Sequence, residues 1–240
     1  MKTETRDKLK TVSVATIATA LFKRGLRGQV IQGVHPIGHT GGHTGENMVG
    51  PAFTLRYMPA REDRNQLSEF RNPNHPQRAA IEQCPPGHVM VIDSRKDARA
   101  ASAGDILVTR LMMRGGAGIV TDGGFRDAVR IGELAMPSYH SRPSSPTNLT
   151  LHEAIEINGP IGCGDAPVFP GDIIVGDADC VIVIPAEIAD EIADETVEMT
   201  AYEDFVVEKV REGETIIGLY PATNEAHLAA FAEWRKAKGR

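Results

Sequence analysis

The chain has 240 residues, 41% of them hydrophobic, with 32 acidic against 26 basic side chains and a formal net charge of −6. That length and apolar content suffice for one large buried core, or a core with an added tail. The acidic balance, with no dense lysine or arginine cluster, argues against a surface that tracks a phosphate backbone, so no nucleic-acid partner is expected.

The opening MKTETRDKLK is polar and lacks the apolar centre of a signal peptide, and no apolar run reaches membrane-helix length. A cytoplasmic protein without a membrane partner is the expectation. Leu9 to Leu21 carries apolar positions at helical spacing and predicts an entry helix, followed by the extended VIQGVHPIG. His35, His39 and His43 stand four residues apart, a spacing that on a helix gathers them on one face as a metal site. The interspersed Gly38, Gly41, Gly42 and Gly45 argue against that helix and predict a loop.

AFTLRYMP, Ala52 to Pro59, reads as a strand closed by proline, and Arg61 to Pro76 as a polar surface loop or lid. From Gln77 the pattern alternates: a short helix to Cys84, a strand HVMVID, a loop, a helix DILVTRLMMR, a strand AGIVTD, and a helix from Arg126. Alternation at this spacing predicts βαβ units and an α/β fold with a partly parallel sheet. RGGAG precedes its strand instead of following one, and no G-x-x-x-x-G-K-[ST] occurs, so these glycines end a helix and do not cradle a nucleotide. Cys84, Cys163 and Cys180 form no C-x-x-C pair and read as reduced, structural side chains. After Pro143 the chain turns β-like, ending in IIVG and CVIVIP, which predicts two kinds of sheet in one domain. Ala186 to Arg211 reads as a long acidic helix. The expected organisation is a single domain over residues 1–220 and a C-terminal extension over 221–240 with a short helix holding Trp234.

Two dipeptides stand out, Gly104-Asp105 and Arg126-Asp127. In a βαβ arrangement the loops after HVMVID and AGIVTD both emerge at the carboxyl edge of the sheet, where open α/β folds place ligands. The first helix start offers the backbone N–H groups of Ile106 and Leu107 to a carboxylate, and Gly104 lets the anion approach the main chain. At the second, consecutive side chains of Arg126 and Asp127 diverge by about 100°, so that one can face a substrate while the other holds a cation. The alternative is that Asp122 or Asp127 merely serves the turn or caps the helix, with Arg126 paired on the surface.

The segment ASAGDILVTRLMMRGGAGIVTDGGFRD resembles the signature of the RraA-like superfamily, which contains regulators of ribonuclease activity and the 4-hydroxy-4-methyl-2-oxoglutarate aldolases. The likeness extends to MVGPAFTLRY before it and PGDIIVGDADCVIVIP after it, covering most of Val30 to Ile184. The resemblance implies a three-layer β/β/α swivelling-domain fold, assembled as a homo-trimer or hexamer with sites between subunits. It further implies that Asp127 ligates Mg2+ or Mn2+ directly and that Asp105 holds a metal-side water. Gly104, Asp105, the main chain at Ile106 and Leu107, and the Arg126 side chain would then bind the pyruvyl part of a 2-oxo acid. An acid from a neighbouring subunit's late helix completes the water shell; Glu198 is the candidate, with Glu195 and Glu203 as alternatives. Cys180 after GDAD and Ile106 at the helix start depart from the family's usual glycine and asparagine, while the histidine–glycine segment, the REDRNQ loop and the GLYPATNE tail resemble a longer subgroup; all bear on the substrate. Arg61, Arg64 and Arg71 in the polar loop stand as contacts for a second carboxylate or for sugar-acid hydroxyls, or simply as a solvated lid.

The chemistry agrees with these roles. Cleavage next to a 2-oxo acid leaves an enolate, which a metal ion and a guanidinium stabilise where charge develops. The competing route is a lysine Schiff base, yet from Asp97 through Glu208 the chain has no lysine, and only Lys96 lies near the first loop. The expected function is a metal-dependent lyase acting on a 4-hydroxy-2-oxo acid, with oxaloacetate decarboxylation as a related activity. The alternatives are a sugar-acid dehydratase on the same site and a non-catalytic regulator that binds ribonuclease E or a helicase.

Overall fold

The computed structural model describes residues 1–38 and 46–240, so His39 and His43 lie outside the described residues. Its organising element is the strand β3 (Met48–Pro59). Twelve residues is long for a strand, and β3 uses the length to join two kinds of sheet. Along one edge its first residues pair antiparallel with β13 (Ile173–Gly176) and its last with β10 (His152–Ile157). Along the other edge, Ala52 to Arg56 pair parallel with β4 (Val89–Asp93). The parallel half continues through β6 (Gly118–Thr121) to β8 (Ser138–His140), against which β2 (His35–Pro36) adds an antiparallel edge; the antiparallel half runs through β14 (Val181–Ile184) to β1 (Val30–Ile31). The partly parallel sheet and the two kinds of pairing are as the sequence predicts. His35 sits in β2 opposite His140.

The central strands read as unbroken apolar runs because both faces are covered. In β4, Met90 and Ile92 join a core with Val108, Leu111, Phe125 and Ile131 beneath α3 (Pro76–Gln83), α4 (Asp105–Met113) and α5 (Ala128–Gly132). Val89 and Val91 face the opposite core with Val120, Ile174 and the hairpin of β11 (Ile161–Cys163) and β12 (Ala166–Val168). A third core packs α1 (Thr3–Leu9), α2 (Val14–Lys23) and α6 (Ala189–Arg211) on the antiparallel half through Leu9, Ile17, Leu21, Ile182 and Ile192. The helix α7 (Glu225–Lys238) lays Phe231 and Trp234 against Phe205 of α6.

The expected single entry helix is two helices. Ser13 breaks the run, its hydroxyl accepting from the Thr16 N–H as the cap of α2. The glycines after α4 behave as expected, Gly115 adopting φ +84° directly after the C-cap Arg114. All three cysteines are free, and burial pushes the Cys84 thiol up to about 12 and the Cys180 thiol up to about 11, which suits packing and not nucleophilic attack. Among the described residues no helix is long and apolar enough to cross a membrane.

His140, buried and stacked on Phe125 with centroids 5.9 Å apart, gives the fold a pH dependence. Burial, reinforced by His35, lowers its pKa from 6.5 to about 4. The unfolded chain therefore binds the proton first: the contribution is complete above pH 6.5 and is lost as pH falls towards 4, by on the order of 3 kcal/mol. Urea midpoints measured across that window should fall with acidification, and His140→Phe should flatten the slope.

Candidate functional site

A second, three-stranded parallel sheet is built from β5 (Ala101–Ala103), which lies between β4 and α4 in the chain, with β7 (Gly124–Phe125) and β9 (Arg142–Pro143), which follow β6 and β8. Its strands carry the two singled-out dipeptides. β5 runs into Gly104 and α4, β7 runs into Arg126, Asp127 and α5, and the Arg126 N–H donates to the Ala103 carbonyl at 3.1 Å. The two loops thus leave one sheet edge side by side, as βαβ reasoning anticipates, although from a small sheet the sequence did not announce.

Beneath them lies a buried polar platform. The Asp122 carboxylate, 3% exposed, accepts from the N–H groups of Ser94 at 2.7 Å, Lys96 at 3.1 Å and Gly164 at 3.2 Å. Desolvation pushes its pKa up, and these hydrogen bonds oppose the shift. The hydroxyls of Ser94, Ser102 and Thr121 bond one another at 2.6 to 3.1 Å, and Thr121 also accepts from the Gly123 N–H. A Cβ at Gly123 would fall 2.6 Å from that of Ser94, which is why the turn is built on glycine.

The structure therefore divides two roles that the sequence left open. Asp122 serves the turn. Asp127 makes no side-chain cap, although it occupies the N-cap of α5 with φ +58° and ψ +33°, a left-handed conformation that strains a residue with a Cβ. The helix begins at Ala128, two residues later than expected, because the Arg126 N–H is still committed to the Ala103 carbonyl and Asp127 is left-handed. The charges of Arg126 and Asp127 do meet, Nε to Oδ2 at 3.3 Å, with side chains 48% and 38% exposed.

Both residues line a cavity of about 500 Å³ with Gly104, Asp105, Ile106 and Leu107. A Cβ on Gly104 would stand 2.8 Å from Arg126 Cγ and 3.2 Å from Asp127 Oδ2, so only glycine leaves this side of the cavity open. The amides at the start of α4 are engaged within the chain: Ile106 N–H donates to Asp105 Oδ1 at 2.8 Å, and Leu107 N–H to the Gly104 carbonyl at 3.1 Å. The Asp105 carboxylate thus occupies the place an external carboxylate would take. Arg130 holds its other oxygen at 3.2 Å, a partner that sequence reasoning missed although an arginine one helical turn into α5 is its only signal.

The late-helix acids lie elsewhere in the chain. Glu198 pairs with Arg235 of α7 at 2.5 Å, Glu195 with Arg24 and Lys23, and Glu203 accepts from Thr16. Among the described residues no three His, Cys, Asp or Glu side chains converge. The polar loop also differs from its reading. Arg61 is paired with Asp63, and neither it nor Arg64 nor Arg71 lines the cavity; the loop contributes Leu67 and Phe70. The cavity is completed by Gln77 and Arg78 of α3 and by Thr147 and Asn148, none of which carried a recognisable sequence motif.

The family model described as Aldolase/RraA matches residues 14–183. A protein of Halalkalibacterium halodurans, provisionally named a 4-hydroxy-4-methyl-2-oxoglutarate aldolase, is 41% identical over 140 residues, which are 58% of this chain and 60% of that relative. The chain thus spans less than two thirds of that relative's length. The crystal structure of Streptomyces coelicolor RraAS2, described as an unusual member of the RNase ES inhibitor RraA protein family, superposes with a TM-score of 0.73 at 30% identity, over 85% of this chain and 96% of that one. An uncharacterised protein from Pseudomonas syringae pv. tomato shares the fold, with a TM-score of 0.76 at 20% identity over 92% and 98% of the two chains.

The contrast between the two aspartates is measurable. Asp122→Ala orphans three backbone donors and should lower the unfolding free energy by about 3 kcal/mol or more. Asp127→Gly relieves the left-handed strain and should leave stability unchanged or raise it by about 1 kcal/mol. Denaturant melts of both variants test this, and a large loss in Asp127→Gly would make Asp127 a structural residue.

Proposed function

The chain belongs to the Aldolase/RraA family, and on that premise we propose that it is a divalent-metal-dependent carbon–carbon lyase. It cleaves a 4-hydroxy-2-oxo acid such as 4-hydroxy-4-methyl-2-oxoglutarate, with oxaloacetate decarboxylation through the same enolate. The observation that carries this reading is Asp127: a strained residue, free of any capping duty, whose carboxylate lines the cavity beside Arg126. The provisional aldolase name of the 41% identical relative supports the reaction class.

The donor set fits Mg2+ or Mn2+. Asp127 and Asp105 offer hard carboxylate oxygens, Gly104 leaves the space beside Asp127 clear, and a cation that keeps most of its waters needs few protein ligands. When bound, such an ion supplies positive charge at the oxo oxygen. Arg126 binds the pyruvyl end and stabilises the same oxygen as charge develops. For the substrate carboxylate to take the amides of Ile106 and Leu107, the Asp105 side chain swings off the Ile106 N–H, and it then faces the water that relays the proton from the 4-hydroxyl. The C3–C4 bond breaks, C4 becomes a carbonyl, the electron pair moves to the C2 oxygen, and the enolate takes a proton at C3 to give pyruvate. Among the described residues no lysine lines the cavity, and Lys96 is paired with Asp165, which disfavours a Schiff base.

We assign the working assembly as a homo-trimer or hexamer in which Glu198 of a neighbouring copy completes the water shell. In its own chain Glu198 pairs with Arg235 at an exposed site, where the attachment is weak. Ile106 in the cavity lining and Val129 in α5 are 79% and 80% exposed, apolar surface suited to a neighbour. The RraAS2 likeness supports the second reading, a regulator of an RNA-processing enzyme.

A coupled pyruvate-release assay with oxaloacetate and 4-hydroxy-4-methyl-2-oxoglutarate, with Mg2+ and with chelator, decides between the two. Metal-dependent release is expected; none from either substrate, nor from a panel of hydroxy-oxo acids, would leave the regulator or dehydratase. Asp127→Ala should abolish turnover. Arg126→Ala should both raise KM and lower kcat, a combined loss of at least about 10²-fold in kcat/KM.

A further inference from the structure

The cavity extends past the residues that the lyase reading employs. One wall is made by α3 and by Thr147 and Asn148, and it carries polar groups with nothing to bind. Asn148 is 3% exposed; its Oδ1 accepts from the Thr147 hydroxyl at 3.3 Å, and its Nδ2 is buried without a partner. Arg78 has its Nη1 buried and likewise unpartnered, and among the described residues no carboxylate pairs with it. Its guanidinium lies 4.3 Å from the Phe70 ring centroid, held flat against an aromatic face instead of trailing into solvent. Both residues line the same cavity as Gly104, Arg126 and Asp127.

A buried donor without an acceptor is costly, and half-buried Arg78 carries such a donor on a cationic group. Burial works against the charged form of Arg78, so an anion brought to it gains more there than at a solvated arginine. Arg78 and Asn148 line the same cavity, and an unpartnered guanidinium N–H with an unpartnered amide N–H supplies two donors, one of them cationic, which match carboxylate oxygens. Leu67 and Phe70 add an apolar border, and a volume of about 500 Å³ exceeds what a three-carbon pyruvyl unit fills.

We propose that Arg78 and Asn148 form a second anion subsite, taking a carboxylate carried beyond the pyruvyl unit, so that the site selects dicarboxylic oxo acids over neutral-tailed ones. The choice of an oxo-acid substrate rests on the lyase reading; the subsite rests on the two unpartnered side chains. It also moves the specificity arginine from the polar loop, where Arg61, Arg64 and Arg71 stood as candidates, to the helix that follows it.

Titration calorimetry on the full chain tests the subsite without requiring turnover. The probes are 2-oxoglutarate, a dianion, and 5-methyl-2-oxohexanoate, a monoanion of similar bulk, each with saturating Mg2+ and with chelator. The wild type should bind the dianion about 10- to 100-fold more tightly, the range of one charge-assisted hydrogen bond. Arg78→Met should remove most of that preference, Arg78→Lys should retain part of it, and Asn148→Asp should reverse it by placing a like charge in the subsite. Equal affinities in the wild type, no binding of 2-oxoglutarate, or a preference that survives Arg78→Met would overturn the proposal. Circular dichroism of each variant identifies a folding failure, in which case Arg78→Lys and Asn148→Asp carry the test. The two readings fail separately: pyruvate release without a dianion preference sinks the subsite alone, whereas a dianion preference without pyruvate release sinks the lyase alone.

Discussion

A buried carboxylate with three backbone donors underlies the rest of the architecture. Asp122 closes β6 and draws together the turn after β4, through Ser94 and Lys96, and the β11–β12 turn, through Gly164. Left unpaired, that carboxylate would be intolerable in the interior; satisfied three times, it fixes where each strand may end. Once those ends are fixed, Ser94, Ser102 and Thr121 meet, and β5 and β7 are placed in register with the Arg126 amide on the Ala103 carbonyl.

From this follows a division between residues that hold the site and residues exposed by it. The platform is buried, hydrogen-bonded and without unmet demand. Above it stand groups whose demands the chain does not meet or meets at a cost: Asp127 in a left-handed conformation, Asp105 folded back on its own helix start, and Arg78 and Asn148 with orphaned donors. A left-handed aspartate and two orphaned donors lining one cavity are what a binding site retains and a purely structural turn would shed.

The long helix α6 and the terminal α7 belong to a different part of the molecule, and their acids are engaged in surface ion pairs at 2.5 to 2.9 Å within the chain. Such pairs contribute little and exchange readily. Any role for Glu198 in a neighbouring copy therefore requires only that Arg235 give up an exposed partner, a small term beside the ordering of a multi-subunit site.

Local pattern was enough for much of this. The alternation from Gln77 to Arg130 reads as strand and helix because apolar periodicity switches with the element, and the glycines of GGAG and DGG mark helix stop and turn because few other residues tolerate those backbones. GDIL and FRD were visible as a pair because βαβ topology sends both loops to one edge. What the pattern does not carry is anything set by contact between distant segments. The break at Ser13, the small β5–β7–β9 sheet, the capture of the Ile106 amide by Asp105 and the placing of Arg78 and Asn148, seventy positions apart in sequence, on one cavity all depend on tertiary packing. The sequence by itself determined the fold class, the two loops and the residue types that give them chemistry. Only the tertiary structure decided which aspartate is buried for the turn and which is left uncapped at the cavity, because burial and hydrogen-bond satisfaction are properties of the packed chain and not of its order.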